Sequence, residues 1–469
     1  MKFTPGEVRE VTEACIVREG EHPFFDGVAI DSRFCREGQL FVALRGAKTD
    51  GHFFVSQAFE NGVWGALVEK IPLLPLGSKN GTLFRVESTL AALKSLGKTA
   101  SQRFQGEKIA ITGTVGKTTC KHILGALLKR NFSVEITPQS FNTAIGVSCA
   151  LANFSEHSQA AIVEAGISRT GEMEELAEII EPGTVIFTAF GEGHLEGLES
   201  VEKVVEEKSK LVTSQTHCVY LNGDSPQAMP LFKLLRQEGR RVISFGIQPS
   251  NQLFLSRFAL RLPQWQADFS IRWEDRDFFF TAPVLFEDEL VSFLPALHLA
   301  LEWGASTKVV QEVLYNWKPL PGRGNYFFYR GGVVIDDSYN ANPLSYRKAL
   351  KSLKTLVRQG FEAWLVAGDM LEMGNFAPQA HRFVLREAVT PPILSGVVLF
   401  GPCFREVAER EFPKELADGF FRWFSSHREI QRFLAKRFST CSRWVVLFKG
   451  SRGMGMENAI PEEWREGHD

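Results

Sequence analysis

Lys108-Ile109-Ala110-Ile111-Thr112-Gly113-Thr114-Val115-Gly116-Lys117-Thr118-Thr119 runs from an apolar stretch into two glycines and a lysine. Residues 108–112 read as a buried strand. Gly113 and Gly116 then permit a tight turn in which successive backbone N–H groups converge on one anion. Beyond the turn, Cys120, Ile123, Leu124, Leu127 and Leu128 recur at i, i+3, i+4, i+7 and i+8, the apolar stripe of an amphipathic helix. Strand before and helix after form the context that a phosphate-binding loop needs. The helix turns its positive end toward the anion. Lys117 adds a full charge that reaches the outer phosphates, and Thr118 offers a hydroxyl to phosphate or Mg²⁺. The strict spacing would have glycine at 111, where this chain has Ile111, so the turn falls to Gly113 and Gly116. Gly113, Thr114, Gly116, Lys117, Thr118 and Thr119 are therefore the expected ATP contacts. The bland alternative is a Gly-Lys-Thr-Thr string that only starts a helix.

Outward from this loop the alternation of strand, loop and helix continues through Ala160–Val163, Thr184–Phe187 and His217–Leu221, which predicts a parallel sheet covered by helices. It restarts after the Pro- and Gly-rich segment Lys318–Gly324, with strands at Val333–Ile335, Ala363–Ala367, Gly396–Phe400 and Trp444–Phe448. Residues 248–293 read as strand-rich. A turn-rich stretch, Leu73–Gly81, precedes a helix predicted over Thr89–Arg103 that bridges into the next unit. The 469 residues exceed one ordinary core, and the expected domains are 1–85, 86–318 and 319–469. A net charge of -2 excludes the broad basic footprint of a nucleic-acid binder. Seven dispersed cysteines form no metal-ligand spacing and fit reduced cytosolic thiols. There is no signal-like apolar segment and no run long enough to span a bilayer, so a cytoplasmic chain without membrane insertion is expected; a monomer is expected as well.

Several strings taken together resemble the Mur ligases, the ATP-dependent amide ligases of peptidoglycan precursor synthesis. The N-terminal part is carried by Asp31-Ser32-Arg33, Gly38–Gly46 and Asp50-Gly51-His52. The middle is carried by the phosphate loop, Val163-Glu164-Ala165-Gly166, His194-Leu195-Glu196 and Lys208. The last third has Pro321-Gly322-Arg323-Gly324, Asp336-Asp337-Ser338-Tyr339-Asn340-Ala341-Asn342-Pro343, Gly368-Asp369-Met370-Leu371-Glu372 and Lys449-Gly450-Ser451-Arg452-Gly453. These last strings are most similar to the branch that joins D-alanyl-D-alanine to UDP-N-acetylmuramoyl-tripeptide. The resemblance spans nearly the whole chain.

It implies three α/β domains: a small N-terminal UDP-binding domain, a central P-loop ATPase-like domain with a parallel sheet, and a C-terminal Rossmann-like domain. It implies that ATP and Mg²⁺ activate a carboxylate as an acyl phosphate, which an amine then attacks. In that scheme Lys117, Glu164, His194 and Lys208 are catalytic. Thr118, Glu164, His194 and Lys208 serve the metal, Lys208 as a carbamylated side chain. Arg323, Asp337 and Asn340 contact the nucleotide. Ser32, Arg33, Asp50, His52, Asn142, Lys449 and Ser451 contact substrate. Without the resemblance, Glu164 reads as a strand-end carboxylate, His194 as an exposed histidine and Lys208 as one lysine on a solvated helix face. Asn342 reads equally as the cap of a helix begun by Pro343.

The chain also departs from the family pattern. Lys210 stands where the family has an acid, and Thr143 where it has an asparagine. A Gly-x-His-Asn-x-x-Asn segment expected before the second boundary is unrecognisable near Phe293–His298. Two rival readings stay open: another Mur or folylpolyglutamate-type ligase, and a nucleotide-binding regulator that does not ligate.

Overall fold

The strand expected before the glycine turn spans Glu107–Thr112 and is flanked on both sides by parallel strands, Ala160–Glu164 and Thr184–Phe187. The structure is a computed structural model, described for residues 1–72, 81–138, 141–193, 195–198, 200–262, 264–439 and 441–466. The expected metal residue His194, Ser140 and most of the turn-rich stretch at 73–81 lie outside the described residues.

Among the described residues the central sheet has nine strands, ordered 276–282, 266–273, 253–261, 241–246, 218–222, 184–187, 107–112, 160–164 and 134–136. The pairs from 134–136 across to 253–261 are parallel, and the last two ladders are antiparallel. The strand-rich stretch after Gln248 is thus an antiparallel extension of one sheet. From 107–112 the chain passes first to one side of that strand and later to the other. Its C-terminal end is therefore a topological switch point, the place where open α/β sheets leave a crevice. Ile111 occupies a fully buried strand position opposite both Glu164 and Ile186. The strand thus continues where the strict motif would already turn.

The helix Lys117–Leu128 buries Cys120, Ile123, Leu124, Leu127 and Leu128, the predicted stripe. Thr89–Arg103 is helical as expected, capped by the Ser88 side chain accepting from the Ala91 N–H. It packs against the helix Ala144–Asn153, and the core beneath them takes in Leu40, Leu67 and Phe84 from the N-terminal sheet together with Ala110, Val163 and Val219 from the central one. Among the described residues the N-terminal sheet has five strands, ordered 15–18, 82–85, 65–68, 40–42 and 28–29.

In the C-terminal third, the described residues form a six-stranded sheet ordered 325–329, 332–337, 444–449, 362–368, 396–400 and 421–424. All but the first pair are parallel. Asp337 and Lys449 end adjacent parallel strands in register. A two-stranded antiparallel ribbon, Lys2–Phe3 with Phe25–Asp26, joins these three larger sheets among the described residues, and the architecture is mixed α/β, as the sequence predicts.

Candidate active site

The C-terminal strand ends of the central sheet face those of the C-terminal sheet across a cleft that contains a cavity of about 490 Å³. The central side supplies Thr114, Gly116, Lys117, Thr118, Thr119, Asn142 and Glu164, and the C-terminal side supplies Arg323, Asp337, Asn340, Lys449 and Ser451. Sequence positions more than 300 apart therefore share one wall-to-wall site.

Gly113 has φ +146° and Gly116 φ +87°, and a Cβ at either would lie 2.2 Å from Thr188 Oγ1 or 2.4 Å from Ser292 Oγ. Only glycine suits this turn, on both conformational and steric grounds. The loop is braced from behind, because the Thr114 N–H donates to Ala189 O at 2.8 Å and Thr188 Oγ1 to Val115 O at 2.6 Å. Lys117 Nζ folds back and donates to Gly113 O at 2.7 Å. Burial pushes this ammonium below the ordinary lysine range, with Glu164 opposing.

Thr118 Oγ1 donates to Glu164 Oε1 at 3.0 Å, which ties the helix start to the end of the neighbouring strand. Glu164 is buried, and its Oε2 lies 3.0 Å from Lys121 Nζ. Among the described residues this ammonium is the one partner of Oε2. Burial works to raise the Glu164 pKa, but Lys121 and then Lys117 outweigh it and hold the carboxyl below its usual range. Lys121 also donates to Thr137 O at 3.1 Å.

Lys208 is buried rather than solvated, and burial, with Lys117 adding, depresses its amine well below the ordinary value. The helix it occupies, Val201–Ser209, turns Glu207 inward as well, where the carboxylate accepts from the Gly171 N–H at 2.6 Å. Lys210, the departure from the family pattern, pairs with Glu207 at 2.7 Å and does not line the cleft.

On the opposite side, buried Lys449 donates to Asp337 Oδ2 at 2.6 Å and to Asn340 O at 3.2 Å. The Arg323 guanidinium lies over the Tyr339 ring, 3.8 Å from its centroid. Asn340 Oδ1 accepts from the Ala341 N–H at 2.9 Å, and Asn342 caps the helix Pro343–Arg358 in a reciprocal box with Ser345. Ser451 Oγ accepts from the Leu371 N–H at 3.0 Å, holding the Leu371-Glu372 corner at the cleft. Asp369 serves the scaffold: fully buried, it accepts from the Cys403 and Phe404 N–H groups at 2.8 and 3.0 Å.

Ser32, Arg33, Asp50 and His52 do not line this cleft. Ser32 Oγ is buried against Gln57 Oε1 at 2.7 Å. His52 uses both ring nitrogens within its own fold, with Nδ1 2.6 Å from Asp50 Oδ1 and Nε2 accepting from the Glu69 N–H at 2.8 Å. It shapes the loop, whereas Arg33, paired with Asp31 at 2.6 Å, is an exposed cation, as is Arg45 beside Asp50.

Sequence reasoning missed Lys121 and the wall residues Asp288, Glu289 and Lys348. Lys121 stands four residues after Lys117 and so on the same helix face, but its partner Glu164 is brought to it only by the sheet. The remaining wall residues carry no local signal at all. His298, given no role from sequence, is buried with Nδ1 2.8 Å from the Tyr220 hydroxyl.

Known proteins share this architecture. Three family models match the chain: Mur ligase family, catalytic domain, over residues 25–76; Mur ligase middle domain over 111–284; and Mur ligase, glutamate ligase domain, over 322–452. The UDP-N-acetylmuramoyl-tripeptide–D-alanyl-D-alanine ligase of Bacillus subtilis is 26% identical over 98% of both chains. That of Mycobacterium tuberculosis is 30% identical, over 85% of this chain and 83% of its own. A crystal structure of MurF from Acinetobacter baumannii superposes with a TM-score of 0.84 at 26% identity over 98% of each chain. The Thermotoga maritima MurF ligase, solved in complex with ADP, gives 0.78 at 25% identity over 92% of this chain and 96% of its own. With the glycine turn, the switch-point cleft and end-to-end similarity all in hand, the chain belongs to the Mur ligase family and is of the MurF type.

Proposed function

We propose that the chain joins D-alanyl-D-alanine to UDP-N-acetylmuramoyl-tripeptide with ATP, by way of an acyl phosphate, yielding the pentapeptide precursor, ADP and phosphate. The observation that carries this reading is the two-sided cleft. A phosphate loop with its acid faces a second wall of polar strand ends, in a chain similar to such ligases along nearly its whole length. The substrate carboxylate attacks the γ-phosphorus and ADP leaves. The dipeptide amine then attacks the carbonyl carbon, and phosphate departs. Transfer of this kind depends on positioning and charge neutralisation. Here the loop N–H groups and Lys117 cradle the outer phosphates. Asp337, oriented by Lys449, and Arg323 with Asn340 hold the sugar and base side. Lys449 and Ser451 border the reacting carboxylate, and Asn142 approaches from the central sheet.

Mg²⁺ suits the donor set on the loop side. Glu164 Oε2 is a buried anionic oxygen whose one partner among the described residues is the Lys121 ammonium, and the Thr118 hydroxyl adjoins the same carboxyl; hard oxygens of this kind are its ligands. When bound, Mg²⁺ neutralises charge that develops on the transferred phosphoryl group. The depressed Lys208 amine is the uncharged form that reacts with CO₂, and its carbamate would add an oxygen donor. His194 keeps the metal role that the family resemblance implies. We assign residues 1–85, 86–318 and 319–469 to UDP-sugar binding, ATP binding and completion of the cleft, with the loops at Ser32-Arg33 and Asp50–His52 receiving the UDP-sugar.

The test is phosphate release from enzyme, Mg-ATP, UDP-N-acetylmuramoyl-tripeptide and candidate amines. Release should depend on D-alanyl-D-alanine. Release with single amino acids instead, or without regard to the dipeptide, overturns the reading. Lys117→Ala should lose at least about 100-fold in rate while its circular dichroism stays that of the parent.

A further inference from the structure

One turn of chain, Phe286 to Ser292, forms a wall of the cleft that no sequence motif foretells. The Glu289 N–H donates to Phe286 O at 3.2 Å and the Ser292 N–H to Glu289 O at 3.1 Å, so the three residues follow one another along the wall. Ser292 abuts Gly116 of the phosphate loop. Phe286 packs on the core that includes Ile335, Ala349 and Leu447, and all four border the cavity. The cavity beside the phosphate loop is thus bordered by apolar side chains that suit a flat ring, and Glu289 lines the same cavity. The charge acting on the Glu289 carboxyl is another anion, Asp337. The Trp317 indole N–H approaches it without closing a hydrogen bond.

We propose that Glu289 is the base-reading residue of the cleft, pairing through its carboxyl with the adenine edge that sets a ring acceptor beside an amino donor. This rests on the reading of the cleft as the ATP site. Burial, with the Asp337 charge adding, raises Glu289 to about 8, so the side chain keeps its proton at neutral pH. A neutral carboxyl offers one O–H donor next to one acceptor. Adenine presents N7 and the N6 amino group in complementary order, whereas guanine presents two acceptors, N7 and O6. The protonated acid therefore favours ATP over GTP. Once ionised it has only acceptors, and the pairing to the ring nitrogen is lost.

Other titratable groups face this wall. Tyr326 is pushed up to about 12 by burial, with Glu289 adding, and so does not titrate in the relevant range. Lys348 is depressed by burial, with Asp288 opposing, and Lys351 is held above its usual value by Asp288 and Glu287 despite burial. Lys449 and Arg323 act on Asp337. A variant that cannot titrate at 289 separates Glu289 from all of these.

The experiment is calorimetric binding of Mg-ATP and Mg-GTP at pH 7 and pH 9 to wild type, Glu289→Gln and Glu289→Ala. Wild type should prefer ATP by roughly tenfold or more, the range of a bidentate base contact, and should lose ATP affinity between the two pH values. Glu289→Gln keeps a donor and an acceptor, so it should retain the preference and lose that part of the pH dependence. Glu289→Ala should lose about tenfold in the ATP/GTP ratio. An ATP/GTP ratio and pH profile unchanged in both variants overturns the assignment alone. Failure of wild type to bind ATP overturns it together with the ATP reading of the cleft.

Discussion

Glu164 and Lys208 are both buried ionisable groups, and each carries a pH signature set by its neighbours. Glu164 has a folded-state pKa below the unfolded value, because Lys121 and Lys117 outweigh burial. Its stabilising contribution is present above the unfolded carboxylate value, about 4.3, and is lost as pH falls through the lower folded value. Glu164→Gln keeps the shape but leaves the Lys121 ammonium buried without its counter-charge. It should cost about 3–5 kcal/mol in urea denaturation at pH 7 and at least about 100-fold in phosphate release. Wild-type stability in that variant would refute the ion pair. Lys208 runs the other way. Its folded value lies well below the unfolded one, so the unfolded chain binds the extra proton and stability rises with pH until about 10.4, where both states are neutral. In CO₂-free buffer, where the amine stays unmodified, Lys208→Met should therefore raise the denaturation midpoint at pH 7, with the gain shrinking toward pH 10. A midpoint that drops at pH 7 would mean the amine is charged and paired in the fold.

At the scale of elements, the helix Lys117–Leu128 has two separable jobs. Its first turn faces the cleft, while Ile123, Leu124, Leu127 and Leu128 fill the core beneath the central sheet. Leu124 is fully buried, so Leu124→Ala should cost about 2–5 kcal/mol. Below the unfolding transition, phosphate release should stay near the parent rate; a large loss there would show that core packing sets the loop geometry directly. The helix was legible because its stripe repeats locally every three to four residues. The antiparallel strands 253–261, 266–273 and 276–282 were legible only as strand-rich. Their place at one edge of the parallel sheet depends on pairing with 241–246, which no local pattern states.

For the whole molecule, the N-terminal and central sheets share one apolar core through the helices 89–103 and 144–153. The central and C-terminal sheets instead face each other over a polar cleft, with ion pairs such as Lys351–Asp288 at 2.8 Å and Arg347–Glu192 at 3.8 Å across it. A nucleotide that touches both walls stabilises their association. Mg-ADP at 100 times its dissociation constant should add about 2.7 kcal/mol, read as a rise in unfolding temperature that Lys117→Ala abolishes. An equal rise in that variant would place the nucleotide elsewhere. The phosphate loop, its helix and the α/β class followed from the sequence alone, because glycine conformation, strand burial and helical periodicity are local properties. Asn342 as a helix cap was local too. The Glu164–Lys121 pair, the burial of Lys208 and the wall bearing Glu289 were decided only by tertiary structure. Each joins residues from separate elements, and parallel pairing, not spacing along the chain, sets the dielectric and the charges around them.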